Sequence, residues 1–76
     1  MKKSIQQETL EALVSDQALR ELRAVRMDGG WSLQGRLGLS WRPVRSRREP
    51  VRIWRSLTAL ERFCTGLGVK QLIVEL

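Results

Sequence analysis

The sequence predicts a small α+β domain. An N-terminal helix or helix pair leads into a β-β-α-β unit, whose three-stranded mixed sheet has spatial order 2-1-3 and helices on one face. Three patterns carry this prediction. Trp31, Leu33, Leu37, Leu39 and Trp41 fall on odd positions, and Ser32, Gln34, Arg36 and Ser40 on even ones. That alternation belongs to a strand with one buried and one wet face. Apolar residues recur at helical spacing in two other places: Leu10, Leu13 and Val14, then Leu57, Leu60, Phe63, Cys64 and Leu67. The end of the chain is apolar and short, as a closing strand should be.

The elements follow in order. Ser4 with Gln7 three residues on reads as a capping box for a first helix over 4–14. Ser15-Asp16 is a second N-cap signal, and Ala18, Leu19, Leu22 and Val25 continue an apolar face behind it. A break near Ser15, with a second helix over 16–27, is favoured over one long helix. Asp28-Gly29-Gly30 closes this helical segment, 1–28, because glycine readily takes the left-handed conformation at a helix end.

The central strand spans 31–41. Gly35 and Gly38 mark a bulge or a close approach by another group. Pro43 and Pro50 bracket a basic hairpin loop, 42–50, and stop the ladder at both ends. Val51 to Arg55 forms the second strand. Ser56 or Thr58 caps the following helix, and Gly66 and Gly68 end it. The final strand covers 69–76. A strand-helix-strand succession favours a right-handed parallel crossover, which places the alternating strand in the middle.

Seventy-six residues make one domain, 1–76, with a thin core. The single Cys64 cannot form an intrachain disulfide, and without histidine there is no structural zinc set. An oligomer is the expected extra support. The last strand is apolar on both faces and lies at the sheet edge, so a homodimer through that edge is expected. No apolar run has membrane-spanning length, and Met1-Lys2-Lys3-Ser4 leads into polar residues, so a cytoplasmic protein is expected.

Charge is the strongest functional signal. Residues 1–28 and 56–76 are each balanced. Residues 29–55 hold Arg36, Arg42, Arg45, Arg47, Arg48, Arg52 and Arg55 against Glu49 alone, and so carry the whole net charge of +6. Arginine suits bidentate phosphate contacts and stacking. The loop arginines, extended by Arg36 and Arg52 on the wet face and by Arg55, are therefore the candidate nucleic-acid site. Trp54 has two readings: a base-stacking ring among arginines, or a ring buried under helices or in a dimer. An enzyme is not expected. There is neither histidine nor tyrosine, the carboxylates are scattered, and Cys64 lies on an apolar stripe as a small hydrophobe. Cofactor, metal and small-molecule substrate are likewise not expected.

Gly29-Gly30-Trp31-Ser32-Leu33, the run Arg45 to Pro50, Val51 to Leu60, then Arg62-Phe63-Cys64 and Leu67-Gly68-Val69 resemble small ParC-type partition-associated proteins of plasmids and integrative elements. The resemblance covers most of the chain and implies a bacterial accessory protein near a DNA segregation or maintenance apparatus. It supplies no catalytic motif. Two functions are thus expected: DNA binding, with duplex DNA as the partner, or an adaptor docking an acidic protein of a segregation or conjugation system. A helix-turn-helix with residues 16–27 as the reading helix is weaker, because those residues are electrically neutral overall.

Overall fold

The computed structural model describes residues 4–76. The Met1-Lys2-Lys3 start read above lies outside the described residues. Five strands and two helices succeed one another as β1 (Ile5–Gln6), α1 (Gln7–Ser15), β2 (Leu22–Met27), β3 (Gly30–Leu37), β4 (Ser40–Arg45), α2 (Leu57–Gly66) and β5 (Ile73–Glu75). They form one mixed sheet in the order β1-β4-β3-β2-β5. β2, β3 and β4 are an antiparallel meander, and β1 and β5 join its two edges in parallel, on β4 and β2.

The α+β class holds, but the three-stranded sheet of order 2-1-3 does not. Residues 22–27 are a strand, not the second half of a helix pair. Leu22 and Ala24 are buried, and Arg23 and Val25, which alternate with them, are half-buried. The helical reading rested on the spacing of Leu22 and Val25; pairing of all six residues with β3 makes the segment a strand. Asp28-Gly29 is the two-residue loop of a hairpin, since Met27 pairs with Gly30, and Asp-Gly is among the strongest short hairpin signals.

The stretch 31–41 is two strands. Leu37 pairs with Ser40, so Gly38 and Leu39 form the loop. Gly38 has φ +62°, which fits the class of tight hairpin turns with glycine first. The reversal leaves Leu39 exposed at the tip and moves Trp41 off the face shared by Trp31 and Leu33. Pro43 does not stop the ladder; it sits inside β4 opposite Gln34. Residues 51–55 are not a second strand. They make a single bridge, Trp54 to Trp31, with Trp31 N–H donating to the Trp54 carbonyl at 2.7 Å and Trp54 N–H to the Trp31 carbonyl at 2.8 Å. The final strand is shorter than 69–76. It does lie at the sheet edge, but beside β2 and parallel to it.

Directly paired residues share a sheet face. Leu22, Ala24, Leu33, Val44 and Ile5 fall on one face and are buried, together with Leu10 of α1 and Leu60 and Cys64 of α2. Both helices thus contribute to the core on this side. Gly35 belongs to it too: a Cβ there would lie 2.9 Å from a Leu19 methyl and 3.1 Å from one of Ile5. The close approach expected at this glycine is real.

Helix ends follow local chemistry. α2 is capped by Ser56, whose hydroxyl accepts from Ala59 N–H at 3.1 Å; Thr58 is not the cap. Its C-terminus is a Schellman motif: Val69 N–H bonds the Cys64 carbonyl and Gly68 N–H that of Thr65, with Gly68 at φ +87°. α1 has Gln6 at its N-cap, not Ser4, and no side-chain cap bond. It ends at Ser15, where the break was expected, but no helix restarts there. Instead Ala18 N–H bonds the Leu13 carbonyl and Gln17 N–H that of Val14. That is the same motif with Gln17, at φ +59°, in the place that glycine takes in α2. A left-handed non-glycine residue costs about 1–2 kcal/mol. Gln17→Gly is therefore expected to stabilise the domain by about 1 kcal/mol, read as a higher urea midpoint at unchanged slope.

Candidate nucleic-acid interface

β4 carries the basic segment out of the sheet and into a tight loop. Ser46 N–H donates to the Glu49 carbonyl at 3.1 Å, and Glu49 N–H donates to the Ser46 hydroxyl at 3.0 Å. Serine closes such loops by bonding backbone two or three residues on. Arg47 and Arg48 are the two residues at the tip, and both are exposed. The Ser46 hydroxyl also lies 3.4 Å from the Glu49 carboxylate. The one acid of the basic segment is thus tied to the loop itself.

The arginines divide by partner. Arg36 on β3 makes an ion pair with Glu21 at 2.8 Å. Arg47 meets Glu8 of α1 at 3.2 Å, with its own side chain 87% exposed. An exposed pair of this kind is worth roughly 0–1 kcal/mol, so a stronger anion displaces it easily. Arg42, Arg45, Arg48 and Arg55 have no carboxylate within ion-pair distance among the described residues. Among the described residues Arg45 donates only to the Ser46 carbonyl. A shallow groove of about 460 Å³ is lined by Gln6, Glu8, Arg45, Ser46 and Arg47. Arg42 lies half-buried on β4 opposite Gly35, and Arg55 stands exposed next to the cap of α2.

Of the eight expected site residues, Trp54 belongs to the core and Arg52 is half-buried against it. Trp54 is 5% exposed and packs on Phe63 of α2, ring centroids 5.0 Å apart. The Arg52 guanidinium lies 4.3 Å from the Trp54 ring and 5.2 Å from the Phe63 ring, and donates to Gln7 of α1 at 2.6 Å. It pins both helices to the Trp54 segment. Arg52 and Trp54 therefore do not share a wet face with Arg36, because residues 51–55 never pair as a full strand beside β3.

The face opposite the helices holds a cluster that sequence reasoning missed. Arg23 of β2 pairs in register with Gln34 of β3. Its Nε donates to Gln34 Oε1 at 2.7 Å, its Nη1 meets Glu75 at 2.9 Å, and its guanidinium sits 4.1 Å from the centre of the Trp41 ring. The signal that would have found it is the Asp28-Gly29 hairpin, which turns Arg23 from a helix surface residue into a neighbour of Gln34.

Cys64 is no candidate nucleophile. Burial, and secondarily the Glu61 carboxylate, push its thiol up to about 11, so it is protonated at neutral pH and packs in the core. Among the described residues no helix is long and apolar enough to cross a membrane, and no cluster of His, Cys, Asp and Glu has the makings of a metal site. No family model, no curated protein and no solved structure matches the chain.

Proposed function

We propose that this domain is a non-enzymatic nucleic-acid-binding module that holds backbone phosphates with the exposed arginines of its basic segment. Arg45, Arg47, Arg48 and Arg55 are the contact residues, with Arg42 at the margin. The resemblance to partition-associated proteins makes DNA the expected target and an accessory role in segregation or maintenance the expected setting. The observation that supports the reading most is the charge imbalance. One segment carries the entire net charge of +6, and five of its arginines, Arg42, Arg45, Arg48, Arg52 and Arg55, lack a carboxylate partner among the described residues. Folding alone does not require that arrangement, whereas counterion release on phosphate binding exploits it.

The test is a triple substitution, Arg45→Ala, Arg47→Ala and Arg48→Ala. None of these side chains is in the core, so the melting transition should stay within a few degrees. Affinity for random duplex at low salt should fall, and losing about three phosphate contacts should make the log–log salt slope shallower by roughly 2.7. Unchanged affinity and slope would remove the loop from the mechanism. Absence of duplex binding by the parent protein would leave the same basic surface to an acidic protein partner.

A further inference from the structure

We propose that the uncovered sheet face is a platform for unpaired bases, so that the domain holds single-stranded nucleic acid with Trp41 and Arg23 as its stacking surface. This deepens the reading above and rests on it, since the arginines at the end of β4 would anchor the same strand's backbone.

The face is defined by register. Arg23 and Val25 of β2 pair with Gln34 and Ser32 of β3, and Ile73 and Glu75 of β5 pair with Arg23 and Val25. Arg36 pairs with Trp41, and Gln34 with Pro43. All point away from Ala24, Leu33 and Val44, where the helices pack. Large groups are left accessible here. Met27 and Ile73 are 44% and 45% exposed, and Trp41, Pro43 and Val25 are half-buried.

Trp41 and Arg23 form the centre of this surface. The Arg23 guanidinium is bonded through its N–H groups to Gln34 and Glu75, and its carbon lies 4.1 Å over the centre of the Trp41 ring. The group is therefore held in place, with its side chain 26% exposed. Unpaired bases stack on aromatic rings and on guanidinium planes. Such stacking tolerates any base because every base has a π-face, so it adds affinity without needing a reading code. Charge agrees with a nucleic-acid occupant: Arg23 and Arg36 on this face are paired with Glu75 and Glu21, which leaves Arg45 as the net positive charge, continuous with the basic loop. A second copy of this chain, carrying the same +6, would meet that charge with its own.

Dimensions favour a single strand over a duplex groove. Five strands about 4.8 Å apart place the outer two about 19 Å from each other. The major groove of B-DNA is about 12 Å wide, so the full sheet does not fit its floor. A flexible strand can instead lie across the face and continue onto Arg45, Arg47 and Arg48, because Arg45 shares this face and leads directly into the loop.

The test compares fluorescently labelled single-stranded oligothymidine with a duplex of equal length, by anisotropy at fixed salt. The parent protein should bind the single strand more tightly. Trp41→Ala should weaken single-strand binding roughly 5- to 150-fold, the range expected for one lost stacked base, and leave duplex binding within about twofold. Equal loss on both probes, or loss on neither, overturns the platform while leaving phosphate binding standing if duplex affinity still falls with salt. Absence of binding to both probes by the parent overturns both readings. Light scattering of Trp41→Ala guards against the other occupant: conversion of a dimer to a monomer would assign the face to a second copy. If the variant fails to fold, ultraviolet crosslinking of bromouracil-containing single strand to the parent protein decides. A crosslink in the peptide bearing Trp41 supports the platform, and crosslinks confined to other segments overturn it.

Discussion

Trp54→Ala is expected to leave the domain largely unfolded, rather than folded and weak in binding. Truncating a buried tryptophan costs about 3–5 kcal/mol. A chain of this length has roughly 4–11 kcal/mol in total. The ring is 5% exposed and packs at a tilt against Phe63. Its loss would also free Arg52, whose guanidinium lies over both rings and bonds Gln7. Trp54→Phe keeps an apolar ring and should retain most of the stability. Urea unfolding followed by far-ultraviolet circular dichroism separates the outcomes. A Trp54→Ala protein with a near-parental midpoint and lost nucleic-acid affinity would return this residue to the binding surface.

Gly30→Ala is expected to be nearly as damaging, although alanine is the mildest possible replacement. Gly30 has φ +148°, which side-chain-bearing residues rarely adopt. A Cβ there would also fall onto the Trp54 carbonyl oxygen. That oxygen accepts from Trp31 N–H in the reciprocal pair joining residue 54 to β3. Backbone strain of about 1–3 kcal/mol adds to two lost hydrogen bonds of about 0.5–1.5 kcal/mol each. Gly38→Ala provides the control. It also has positive φ but nothing within 4 Å of a Cβ, so only the conformational cost of about 1–2 kcal/mol applies. Equal destabilisation by the two substitutions would mean that the Trp31–Trp54 bridge contributes little.

The parts of this fold legible in the sequence are those whose residues allow a single reading. Leu57, Leu60 and Cys64 recur only as a helix does, and Ser56 and Gly68 punctuate it. Trp31, Leu33 and Leu37 alternate only as a strand does. Leu22 to Met27 failed because Leu22 and Val25 satisfy helical spacing while Leu22 and Ala24 satisfy strand spacing. Asp28-Gly29 then fitted a helix end as well as a hairpin. The run to Trp41 failed differently: Leu37 pairs with Ser40 across a two-residue turn, which exchanges odd for even positions on each face, so the odd-numbered apolar run past Gly38 does not continue the buried face. The site was half legible. Charge located Arg45, Arg47 and Arg48 without any structure. Composition could not separate them from Arg52, because a guanidinium stacked between a core ring and a helix looks the same in sequence as one aimed at solvent. Arg23 was invisible until β2 existed, since its partners Gln34, Trp41 and Glu75 lie on three other strands.

Phosphate recognition by the basic segment is tested most directly by the salt dependence of binding between the unmodified protein and a random duplex. Arg45, Arg47, Arg48 and Arg55 together should give a slope of log affinity against log salt near −3.6, about −0.9 for each phosphate contact. A slope near zero, or no binding at the lowest salt, would contradict the assignment.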